Sequence, residues 1–127
     1  MAVIVMKLVR EMGDGSYRIR SFEPGQVTVN ETVYATGLVL SLTELRHPWP
    51  VTDVSTLTIS DLQPALDLDP EIILLGTGHS QCFPPREVMR DVVHRQVGLE
   101  VMDTASACRT FNVLMAEGRR IVAALVV

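Results

Sequence analysis

The 127 residues are 47% hydrophobic and 20% charged, with a formal charge of −4; this balance describes a folded globular chain and excludes intrinsic disorder. The acidic excess, with no interleaving of basic and aromatic residues, excludes nucleic acid as a partner. No apolar run approaches the ~20 residues needed to cross a bilayer, so membrane insertion is not expected. Two cysteines, Cys82 and Cys108, are too few for a disulfide framework. The expectation is a single cytoplasmic domain over residues 1–127 with reduced thiols and a core of Val, Leu, Ile, Ala and Met.

Along the chain, Met1–Lys7 is briefly apolar but lacks the basic region and cleavage site of a secretory leader. As an apolar edge strand it would support a homodimer. Tyr17–Arg20 alternates with the period of a half-buried strand, and Glu23-Pro24-Gly25 turns the chain. Gln26–Val29 and Val33–Leu40 continue the strand pattern, with Gly37 read as a bulge in the second. His47-Pro48-Trp49-Pro50 breaks the pattern, and Trp49 is expected to lid the core. A short helix should start near Ser60 and end in the acidic Asp67–Glu71 stretch.

The second half has a different pattern. Ile72–Leu75 is a continuous apolar run of the kind buried on both faces of a sheet. Pro84-Pro85 suits a helix start, and the helix to about Gln96 puts Val88, Met89, Val92 and Val93 on one face, with Gly98 closing it. Glu100–Met102 is the next strand. Asp103 or Thr104 caps a helix with Ala107, Cys108, Phe111, Leu114 and Met115 inward; Gly118 ends it, and Arg120–Val127 is the last strand. A β-rich opening followed by strand–helix–strand–helix–strand gives a layered α/β domain.

Two strands thus deliver polar turns to helix starts, where open α/β sheets place their sites. Gly76-Thr77-Gly78 either offers backbone N–H groups to an anion or is a tight strand exit needing positive φ. It is neither a dinucleotide fingerprint, since Gln81 stands where a third Gly is needed, nor a phosphate-binding Walker loop. Arg109, Thr110 and Asn112 either rim this turn or pair internally, Arg109 with Asp103 or Glu117. His79-x-x-Cys82 has ligand spacing but no second pair, so no metal is expected, and no cofactor motif is present. Arg86, Arg90 and His94 form a basic stripe at i, i+4, i+8, either solvated, with local pairs such as Asp91–Arg95, or facing an acidic partner.

On Leu74–Gly78, the prolines near Pro84, Gly98, Val101–Ala105, Ala107–Leu114, Glu117–Arg120 and Ala123–Leu125, the chain resembles a known family of small domains without an assigned activity. That family includes mitochondrial complex I assembly factor 3, the adipogenesis-associated domain protein of animals, and many uncharacterised bacterial and archaeal proteins. The resemblance implies a three-layer β+α/β/α domain around a central mixed sheet of about five strands. It transfers no catalytic residues, and the lack of a transit peptide fits a bacterial cytoplasmic member. With no nucleophile–base arrangement, the expected function is a non-enzymatic protein-interaction or assembly module. Its partner surface would be formed by Gly76, Thr77, Gly78, Thr104, Arg109, Thr110 and Asn112. The alternative is a small-molecule or anion-binding protein, enzymatic or not, using the same crevice.

Overall fold

Alternation along the last three strands decides the architecture of this computed structural model, which describes residues 16–127. The apolar N-terminal segment, and the edge pairing expected of it, lie outside the described residues. Strands β6 (Ile72–Gly76), β7 (Gly98–Met102) and β8 (Ile121–Leu125) are parallel, with β6 between the other two. Helix α2 (Arg86–His94) joins β6 to β7, and α3 (Thr104–Ala116) joins β7 to β8. Ile73, Leu75, Val122 and Ala124 pack on the α2 side with Val88 and Val92, whereas Leu74, Ile121, Ala123 and Leu125 pack on the α3 side with Ala107, Cys108 and Phe111. Period-two alternation in strands buried on both faces therefore places the two helices on opposite sides of the sheet.

The first half supplies the remaining strands. β1 (Ile19–Glu23), β2 (Gln26–Val29) and β3 (Thr32–Tyr34) form an antiparallel meander. β4 (Leu38–Leu40) and β5 (Leu45–Arg46) extend the main sheet as a hairpin, giving the order β5-β4-β8-β6-β7. Because β4 runs antiparallel to β8, the five-stranded sheet is mixed. The meander shares a layer with α3, through Ile19, Val27 and Val29. The other layer holds α2, the short α1 (Gln63–Leu66) and two 3-10 turns. The result is the β+α/β/α arrangement around a central mixed sheet.

Five local expectations differ from the structure. Val33–Leu40 is not one bulged strand: it divides into β3 and β4, which belong to different sheets. Gly37 sits at the division because a Cβ there would stand 2.6 Å from the Trp49 carbonyl oxygen and 2.8 Å from that of Leu125. The short helix is capped by Thr58, not Ser60, through a capping box with Asp61 that starts a 3-10 turn leading into α1. Val93 points to solvent, because the inner face of α2 is only as wide as Val88 and Val92. Gly98 opens β7 instead of closing α2, the reversal falling at Gln96 with φ of 62°. Trp49 is 3% exposed and donates its indole N–H to the Asp61 carbonyl at 2.7 Å, so it packs inside the α2-side core, not over it as a lid.

Candidate functional site

Parallel pairing brings the ends of β6, β7 and β8 into register, with Gly76 opposite Met102 on one side and Leu125 on the other. The chain leaves β6 here as Gly76-Thr77-Gly78, and α3 begins beside it. Side chains are excluded at Gly76, where a Cβ would lie 2.9 Å from Leu125 Cδ2 and 3.0 Å from Thr104 Oγ1. Gly78 has φ of 102°, the conformation that a tight strand exit requires.

The polar groups of this turn are bonded to the protein itself. Thr77 N–H donates to Met102 O at 2.9 Å, and Gly78 N–H to Thr104 Oγ1 at 2.8 Å. The Thr104 hydroxyl in turn donates to Val126 O at 2.6 Å, while Thr104 N–H reaches Gly78 O at 2.9 Å. Thr104 is the one polar residue fully buried among the described residues, at 0% exposure. Its hydroxyl thereby ties the start of α3 to both the glycine turn and the end of β8. Thr77 Oγ1 donates to Ser80 O and accepts from Cys82 N–H, which holds the following loop.

Asp103 caps α3 by accepting from Ser106 N–H at 2.8 Å. That bond chiefly, with the Ser106 hydroxyl and a weaker pull from Arg109, holds its carboxyl below the usual range. The cap is therefore ionised throughout the neutral range and is lost only as pH falls through the lowered value.

Farther along α3, the expected residues separate. Asn112 is half-buried and bonds β1 with both ends of its amide: Nδ2 donates to Ile19 O at 2.7 Å, and Oδ1 accepts from Ile19 N–H at 3.2 Å. It continues the pairing pattern of β1 onto the helix. Arg109 is exposed and donates to Ser106 Oγ at 3.2 Å, forming no ion pair with Asp103 or Glu117 among the described residues. With Arg20, Phe22 and Asn112 it lines an open groove of about 160 Å³ between α3 and β1. Thr110 is half-buried on the same helix. Gly76, Thr77, Gly78 and Thr104 thus form one network, while Arg109 and Asn112 line a groove built with β1.

Burial pushes the Cys108 thiol up to about 12, only partly offset by Arg109, so it stays protonated and packs as a small apolar side chain. Cys82 is half-buried and His79 exposed. Carboxylates are engaged locally: Asp61 in its capping box, Asp67 with Gln63, and Glu71 with Arg119 and Arg120. The Arg120 backbone N–H is the main cause of the lowered Glu71 value. The expected Asp91–Arg95 ion pair does not form among the described residues; Arg95 bonds Asp91 through its backbone alone. No three His, Cys, Asp or Glu side chains among the described residues come together as a metal ligand set. No helix among them is long and apolar enough to cross a membrane.

A family model described as "Protein of unknown function (DUF498/DUF598)" matches residues 19–126, and the chain belongs to that family. It is 30% identical over 118 residues to the "13 kDa major membrane protein" of Francisella tularensis subsp. holarctica, covering 92% of this chain and 96% of that one. It is 34% identical over 111 residues to NADH dehydrogenase [ubiquinone] 1 alpha subcomplex assembly factor 3 of Danio rerio, covering 85% of this chain and 63% of that relative's length. A crystal structure of a Bordetella parapertussis protein superposes with a TM-score of 0.82 at 36% identity, over 88% of this chain and 96% of that one.

Proposed function

We propose that this member of the family is a non-enzymatic interaction module that helps other proteins assemble, working in a bacterial cytoplasm as a single domain. The observation that carries this reading is the network around Thr104. The amides and hydroxyl that an anion or substrate would need at the glycine turn are already bonded to Met102, Thr104 and Val126. Such a turn favours a role in holding α3 in place over one in holding a ligand. The Danio rerio relative is named an assembly factor, which supports the same reading. The name of the Francisella relative points to a membrane setting, and the proposal has this chain reach such a setting through a protein partner.

In this proposal Gly76, Thr77, Gly78 and Thr104 are the frame of the partner surface. Asn112 fixes β1 beside it, and Arg109 with Thr110 meets the partner. Arg109 suits that role because its guanidinium is exposed and, among the described residues, bonded to Ser106 alone. Tagged protein at native abundance is expected to capture a defined partner set from its own cell extract, and Arg109→Glu to lower that capture by about tenfold. Since Arg109 is exposed, the variant should melt like the parent. Unchanged capture by a folded Arg109→Glu protein would remove Arg109 from the interface.

A second reading, binding of a small carboxylate or phosphate, is favoured by one observation: Arg20 and Arg109 both line the 160 Å³ groove. Arg20 is nevertheless engaged by Glu31 at 3.4 Å, which leaves Arg109 as that reading's main support.

A further inference from the structure

The outer face of α2 bears a second surface, on the side of the sheet opposite Arg109. Phe83 and Val93 stand 58% and 62% exposed there. With Met89, they line an open groove of about 780 Å³ together with Arg86, Arg90 and His94. Clustered large apolar side chains left to solvent mark sites of association more often than isolated ones do.

The charge around this groove identifies its occupant. Among the described residues no acidic side chain lines it, although the chain as a whole carries −4. Glu87 and Asp91, the acids of α2, lie outside the lining. Among the described residues the side chains of Arg86, Arg90 and His94 have no hydrogen-bond or ion-pair partner. The groove is therefore a local cationic rim around an apolar floor, on a protein of the opposite net sign.

We propose that this groove docks an amphipathic helical segment of a partner protein, with an apolar stripe against Phe83, Met89 and Val93 and acidic residues along the flank that meets Arg86 and Arg90. Helix-in-groove recognition takes anchors spaced i, i+3 or i+4, and i+7. The apolar contact supplies affinity, and the cationic rim selects an acidic flank and speeds association. A bilayer is the poorer match: α2 buries Val88 and Val92 in the core, whereas membrane-surface helices present a whole apolar face to lipid. This surface is independent of the Arg109 face, so the two stand or fall separately.

The test is selection of a random library of displayed amphipathic peptides on the full-length immobilised protein. The enriched pool is expected to carry Asp and Glu beside its apolar stripe. A peptide synthesised from that pool should shift the backbone amides of Phe83, Met89 and Val93 in NMR spectra. Reversing the rim with Arg86→Glu and Arg90→Glu should weaken it by about tenfold or more, and Val93→Asp should do so independently. All three positions are exposed, so matching melting curves would show that the variants fold. An enriched pool without acidic bias, or full affinity in the charge-reversed protein, would overturn the proposal. So would rim-dependent sedimentation with phosphatidylserine vesicles in place of peptide binding, or a homodimer dispersed by Val93→Asp.

Discussion

Replacing Thr104 by Val is expected to lower the melting temperature by roughly 10 °C or more, although the two side chains are nearly the same shape. Thr104 is wholly buried, and its hydroxyl serves two backbone groups at once, accepting from Gly78 N–H and donating to Val126 O. Valine fills the volume but answers neither group. Each buried polar group left without a partner costs about 1–3 kcal/mol, so the substitution should cost about 2–6 kcal/mol. Thr104→Ser, which keeps the hydroxyl and removes a methyl, should recover most of the loss. Thermal melts of the three proteins check this. A Val variant as stable as the parent would mean that the turn's polar groups do not depend on this residue.

Phe111→Ala is expected to destabilise the protein by about 3–5 kcal/mol, a large part of the 5–15 kcal/mol typical of a folded domain. Phe111 is 0% exposed and packs in the cluster that joins α3 to both sheets, with Leu74 and Ala123 from one and Ile19, Val27 and Val29 from the other. The cavity would open where β1–β3 meet the rest of the molecule, so urea unfolding should show a lowered midpoint and early loss of the meander's amide protection. Phe111→Leu, which leaves much less empty volume, should cost distinctly less. A small effect of the Ala change would mean that the layers can close over the gap.

The second half of the fold was largely legible because its signals are strong and local. Ile72–Leu75 is continuously apolar, Asp103 is a good cap residue, and the inner stripe of α3 has helical spacing through Ala107, Cys108 and Phe111. The first half was less so, because its strands are short. Leu45–Arg46 is two residues long and carries no pattern, and the break at Gly37 depends on carbonyls of Trp49 and Leu125 that are near only after folding. Val93 satisfied helical spacing, yet the core of α2 has room only for Val88 and Val92.

Site residues show the same division. The need for positive φ at Gly78 could be read from the residue type and its place after a strand. That Thr104 would bond both Gly78 and Val126, or that Asn112 would dock on Ile19, 93 positions away, depends on tertiary contact. The basic stripe of α2 was visible as Arg86, Arg90 and His94, but the exposed Phe83 that turns it into a groove was not.

At the glycine turn the interaction-module reading and the anion site that the sequence offers there make opposite statements about the same atoms. Inorganic phosphate should be titrated into isotopically labelled protein while the backbone amides of Gly76, Thr77, Gly78 and Thr104 are followed by NMR. With Thr77 and Gly78 N–H already bonded internally, these resonances are expected to stay fixed apart from the uniform drift caused by ionic strength. Saturable shifts centred on Thr77 and Gly78 would contradict the interaction-module account and make the turn a binding site.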